Sequence, residues 1–143
     1  MVKFLAGLKG EGKTRKLIEM ANENVKTTDG HIVYIDDDRR HTRDLHRDIR
    51  FVETEKGLLS NYREFIGFIL GILSQNNDIT HIYVDGLSNI ICNICDTEPK
   101  AEELVKLLKR LEELSKKESV DFILSLHASQ EQLPAELKAV LVQ

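Results

Sequence analysis

Apolar positions recur along this chain with two alternating spacings. Val2 to Leu5 is a short apolar run that stops at Gly7, which predicts a buried strand. From Thr14 to Asn24 the spacing becomes helical, with Leu17, Met20, Ala21 and Asn24 on one face and Ile18 widening it. Ile32 to Ile35 is an unbroken apolar run between Thr28-Asp29-Gly30 and Asp36-Asp37-Asp38, as expected of a parallel strand covered on both faces. Ile49 to Val52 reads either as a further short strand or as the lead into a helix. Leu58 to Leu73 repeats apolar residues at helical spacing, although Gly67 and Gly71 each cost up to about 1 kcal/mol relative to alanine. Ile82 to Val84 is a strand ending at Asp85-Gly86. The helix predicted over Pro99 to Lys117 has proline in its first turn, acids near its positive end and Lys116 and Lys117 near its negative end. Phe122 to Leu126 is a fourth strand, ending at His127. In the tail, a short helix starts near Ser129 or Pro134, and Ala139 to Val142 is either its end or a fifth strand.

Strands alternating with helices imply a mostly parallel sheet, right-handed crossovers and helices on both faces. In such α/β sheets ligands bind beyond the carboxyl ends of the strands. The polar residues with chemical potential fall there: the glycine loop after Leu5, the three aspartates after Ile35, Asp85 after Val84, and His127 after Leu126.

The 143 residues fit one domain spanning 1–143. Charged residues make up 31% and hydrophobic ones 41%, a globular balance. A formal charge of −4 gives no general attraction to nucleic acid or an anionic membrane. The apolar run Phe65 to Leu73 is far shorter than the roughly 20 residues needed to span a bilayer, so no membrane insertion is expected. Met1 to Leu5 runs straight into a glycine loop instead of a secretory leader, which predicts a cytoplasmic protein.

Gly7-Leu8-Lys9-Gly10-Glu11-Gly12-Lys13-Thr14 matches the phosphate-loop pattern: glycine, four residues, glycine, lysine, then serine or threonine. Glycines allow a compact turn whose backbone N–H groups face a phosphate, and the following helix start adds partial positive charge. In this reading Lys13 supplies a cation to the β- and γ-phosphates and the Thr14 hydroxyl ligates Mg²⁺. Glu11 is an awkward neighbour for an anion, so its side chain is expected to face solvent, a partner or a catalytic water.

The apolar strand ending at Asp85 resembles the Walker B pattern, whose aspartate commonly shares Mg²⁺ with the loop threonine, so Asp85 is expected to be a second oxygen ligand alongside Thr14. Asp36 or Asp37 could serve as a base or hold a substrate group, and His127 could sense the γ-phosphate through its imidazole. Each has an ordinary alternative: a turn aspartate, a solvated acidic loop, a hydrogen-bonded loop histidine. Ser125 reads as a core-edge hydroxyl. Arg39, Arg40, His41, Arg43, His46, Arg47 and Arg50 form a basic segment interrupted by Asp44 and Asp48. Its mixed charge favours a solvated loop over an arginine inserted into a site, and both over nucleic-acid contact. Cys92 and Cys95 have metal-compatible spacing without a second pair, so hydrophobic packing is favoured over zinc. Gly67 and Gly71 are expected to let their helix approach the sheet closely.

On the residues Gly7 to Thr14 and Ile82 to Asp85 the chain resembles the P-loop NTPase superfamily. Its element order is similar to the branch with recombinase-like ATPases and thymidine-kinase-like proteins. The resemblance implies a three-layer α/β domain with core strand order 1-4-3-2, a fifth strand being left open, and bound ATP and Mg²⁺. It departs from hydrolytic relatives at Gly86, where a water-orienting glutamate is usual, and it lacks the base-recognition motif of small GTPases, which favours ATP over GTP. Two functions follow from it: a slow or partner-activated ATPase that regulates a protein partner or a homo-oligomer, and a small kinase acting on a small-molecule acceptor.

Overall fold

Five strands pair side by side in a wholly parallel sheet: β1 (Val2–Gly7), β2 (His31–Asp36), β3 (Ile49–Glu53), β4 (Ile79–Val84) and β5 (Asp121–His127). Across the sheet the order is β1-β5-β4-β2-β3. The computed structural model describes residues 1–91 and 98–142, with side chains from residue 101 onward in the second stretch. The helices among them are α1 (Lys13–Thr27), α2 (Tyr62–Gln75), α3 (Leu87–Ile90), α4 (Glu98–Glu118) and α5 (Ala135–Lys138). Cys92 and Cys95 lie outside the described residues.

Side chains alternate across each strand, and this alternation sorts the core into two layers. Ile32, Tyr34, Tyr83 and Ile123 join Leu17, Ile18 and Ala21 of α1 on one face. Val33, Ile35, Ile82, Val84, Phe122 and Leu124 meet α2, α4 and α5 on the other. Layers of helix, sheet and helix result. Leu17 is fully buried beneath α1, a burial worth about 1.5–3 kcal/mol for a side chain of its size.

Where the sequence leaves Ile49 to Val52 open, the structure pairs β3 in parallel with β2, Ile49 against Ile32 through Glu53 against Asp36. The tail ends in the short α5 and then crosses the outer side of β1. There Phe4 N–H donates to Val140 O and Val142 N–H to Phe4 O, both at 2.9 Å, giving an isolated parallel bridge at Leu141 in place of a longer strand.

Two expectations are corrected. The helix expected from Leu58 starts at Tyr62, because Asn61 caps it by accepting the Glu64 N–H at 3.0 Å while the Glu64 carboxylate accepts the Ser60 N–H at 2.6 Å. Leu58 is left 61% exposed in the preceding loop. Gly67 and Gly71 do not approach the sheet: both are exposed, and a Cβ on either would meet nothing within 4 Å. Among the described residues no helix is long and apolar enough to cross a membrane.

Candidate functional site

The carboxyl ends of β1, β5, β4 and β2 are aligned by register, Gly7 opposite His127 and Ile35 opposite Val84. This alignment gathers residues far apart in sequence around one cleft of about 1100 Å³. Its floor and walls include Lys9, Gly10, Gly12, Lys13 and Thr14 from the glycine loop, with Asp36, Asp37, Asp85 and His127 from the strand ends. Gly7, Leu8 and Glu11 shape the loop without lining the cleft. His127 is exposed at the rim, its N–H donating to Ser88 Oγ at 3.3 Å.

The loop leaves β1 at Gly7 and enters α1 at Gly12. Gly10 at φ 87° and Gly12 at φ 80° take left-handed backbone that a residue with a Cβ adopts only under strain. Gly12 is the helix cap, provides no capping side chain, and no acid sits in the first turn. The amides of that turn therefore lack both an intrahelical partner and a nearby compensating anion on the helix itself, which makes the start of α1 electropositive. Lys13 folds back over the loop and donates to Gly7 O at 2.8 Å and Leu8 O at 3.0 Å. Burial holds its ammonium below the ordinary lysine range, while the charges of Glu11 and Asp85 act the other way. Glu11 is exposed but bends back, its Oε2 being 2.7 Å from where a Gly7 Cβ would stand.

Asp85 is buried at the end of β4 and held by side chains from three other elements. It is 5% exposed and accepts from three hydroxyls: Thr14 Oγ1 at 3.3 Å and Ser125 Oγ at 2.8 Å on Oδ1, and Tyr34 OH at 3.0 Å on Oδ2. Ser125 Oγ also accepts the Gly86 N–H at 2.7 Å, fixing the turn into α3. Burial, and then the neighbouring Asp85 charge, push the Tyr34 phenol far above its ordinary range, so it remains a donor.

Asp36, 6% exposed, accepts the Asp37 N–H at 2.7 Å. Burial, a hydrogen bond with the Asp37 side chain and the charge of Asp85 push its pKa up to about 8. One carboxylate oxygen each from Asp36, Asp37 and Asp38 lie within 4.8 Å of one another. Asp38 is held below the ordinary carboxylate range by its hydrogen bonds with Arg40.

The basic segment divides. Arg39 is committed to Glu53 at 2.8 Å and lies over the Phe51 ring, outside the cleft lining, whereas Arg40 lines the cleft while paired with Asp38 at 2.9 Å. Asn22 of α1 ties this loop down with both ends of its amide, donating to Asp44 O and accepting from His46 N–H, each at 2.8 Å.

Three participants were not legible as such in the sequence. Tyr34 and Ser125 sit within apolar runs, where a lone hydroxyl reads as core, although a buried hydroxyl needs a partner and so hints at one. Lys56, which also lines the cleft, stands in an unremarkable polar loop. No protein-family model and no curated protein matches the chain.

Proposed function

We propose that this chain is a Mg²⁺-dependent ATP-binding protein of the P-loop NTPase class, in which hydrolysis is slow alone and is raised by a partner or by a second copy of the chain. The observation that carries this reading is the convergence of Thr14 and Asp85 at the start of an electropositive helix, 3.3 Å apart and both oxygen donors. Oxygen donors suit Mg²⁺, and a glycine-capped helix start suits a phosphate. The order β1-β5-β4-β2, which sets one strand between the glycine-loop strand and the Asp85 strand, is in keeping with the additional-strand branch.

Magnesium, when bound, would neutralise charge on the phosphate oxygens and prepare the terminal phosphoryl group for transfer. The chain's own residues do the rest. Lys13 exchanges its two loop carbonyls for phosphate oxygens. Asp85, held in place by Tyr34 and Ser125, and the Thr14 hydroxyl oxygen are the groups that would hold the metal. His127 at the rim is placed to donate to an outer oxygen. Gly86 offers no carboxylate to orient water, and at φ 72° its position disfavours one.

One observation favours the kinase alternative: Asp36, with its pKa near 8, and Asp37 line the same cleft and could take a proton from an acceptor hydroxyl. Steady-state phosphate release from Mg·ATP, measured across protein concentration and with small-molecule hydroxyl acceptors, separates the two. Turnover that rises with protein concentration supports the regulated ATPase; transfer to an acceptor supports the kinase. Failure to bind ATP at roughly millimolar concentration rejects both.

A further inference from the structure

Lys56 lines the cleft from the segment that follows β3, the edge strand at the other end of the sheet from β1. That segment is tied at both ends to the elements that present the carboxylates. Before Lys56, the buried Thr54 donates its N–H to Asp36 O at 2.9 Å. After it, Gly57 N–H donates to Asn89 O at 3.2 Å, in the helix that follows Asp85, and Leu59 forms a parallel bridge with Ile91. The chain turns sharply between these anchors, Leu58 N–H donating to Glu55 O at 3.2 Å and Gly57 adopting φ 73°. Lys56 is thus carried at the tip of a braced turn over the ends of β2 and β4.

Three other cations around the cleft are engaged. Arg15 pairs with Glu19, Arg40 with Asp38, and Lys13 with two carbonyls of the loop. Lys56 and Lys9 have no such partner among the described residues, and Lys9 belongs to the glycine loop itself. The cleft that Lys56 lines also presents Asp36, Asp37, Asp38 and Asp85, so an anionic ligand in it needs cations to offset them. Thr14, Asp85 and Lys56 line one cleft with the start of α1, so a polyphosphate resting its inner groups on that start has Lys56 in the same cleft for its outermost group.

We propose that Lys56 is the specificity-determining residue that reads the outermost phosphate of the ligand and makes the cleft prefer nucleoside triphosphates to diphosphates. This rests on the nucleotide reading above. Lys13 and the loop serve the β-phosphate, which both ligands share, as well as the γ-phosphate, whereas Lys56 serves only the group that the triphosphate alone has.

Calorimetric titration with Mg·ADP and with the Mg complex of a non-hydrolysable β,γ-imido ATP analogue tests this, using wild type, Lys56→Ala and Lys56→Arg. The exposed position of Lys56 leaves the fold intact, which thermal melts of the variants check. Wild type should prefer the triphosphate analogue. Lys56→Ala should weaken the analogue about tenfold, the worth of one charge-assisted hydrogen bond, and leave Mg·ADP unchanged. Lys56→Arg should recover most of the loss. Equal weakening of both ligands, no change in either, or no wild-type preference overturns the assignment to Lys56 while leaving nucleotide binding in place. Wild type that binds neither ligand instead overturns the nucleotide reading, and the role of Lys56 with it.

Discussion

Thr14 Oγ1 donates to Asp85 Oδ1 at 3.3 Å, joining residues 71 positions apart at the mouth of the cleft. The pair is held from behind, since Ser125 donates to the same Oδ1 and Tyr34 to Oδ2 of that carboxylate. Asp85→Asn replaces one acceptor oxygen by an NH₂ facing hydroxyl donors and removes a charge that a cation would use. Nucleotide affinity measured with Mg²⁺ should fall on the order of tenfold to a hundredfold, and affinity measured with EDTA much less. Equal losses in the two conditions would contradict a metal role for Asp85.

Tyr34 has a purely supporting part. Its ring is buried in the α1 layer and its hydroxyl reaches Asp85 Oδ2. Tyr34→Phe keeps the ring but leaves a buried carboxylate oxygen without its donor, which should cost about 1–3 kcal/mol in urea unfolding. A variant as stable as wild type would show that this hydrogen bond holds nothing in place.

Asp36 makes stability depend on pH in a direction unusual for a carboxylate. Its pKa is raised to about 8 in the fold from 3.8, so the native chain binds this proton more tightly than the unfolded chain does. The associated stabilisation is complete below the unfolded value and is lost as pH rises through about 8. Asp36→Asn imitates the protonated form. The stability difference between wild type and this variant, from urea midpoints at about pH 5 to 9, should move against wild type as pH rises. Taking the difference cancels His81, whose pKa burial lowers, and which therefore titrates in part of the same range. Parallel profiles would contradict the shift at Asp36.

The strands and the glycine loop were legible because their signals are local: unbroken apolar runs, and three glycines with lysine and threonine at fixed spacing. The start of α2 was obscured because Leu58 and Leu59 extend the helical spacing, whereas the Asn61 cap that stops it is a matter of backbone geometry. β3 has an exposed arginine between apolar residues, and five residues of that kind do not separate an edge strand from a loop. Gly67 and Gly71 suggested close packing, but their face of α2 points outward, a matter of helix rotation on the sheet. In the cleft, residues at strand ends could be read from the sequence because strand direction places them. Ser125, Tyr34 and Lys56 required the sheet register or a loop path before their partners were defined.

Gly86 bears on turnover. It opens α3 from left-handed backbone, and its N–H is used by Ser125. The isolated chain should release phosphate from Mg·ATP at well below about 1 s⁻¹, the low end for kinases. Gly86→Glu should not speed it, because at φ 72° a residue with a side chain is strained there. Fast release that stays constant per chain on dilution would contradict this and show that a base is already supplied in cis.

The central claim is that the loop from Gly7 to Thr14 binds the phosphates of a nucleotide, and Lys13 tests it most directly. Lys13 Nζ is bonded only to loop carbonyls among the described residues, so Lys13→Ala removes the proposed phosphate ligand without opening the core. Mg·ATP binding should be measured by calorimetry on wild type and Lys13→Ala side by side, with circular dichroism confirming that both are folded. Wild type should bind, and the variant should bind about a hundredfold more weakly. A folded Lys13→Ala protein with wild-type affinity, or a folded wild type that does not bind Mg·ATP at all, would contradict the account.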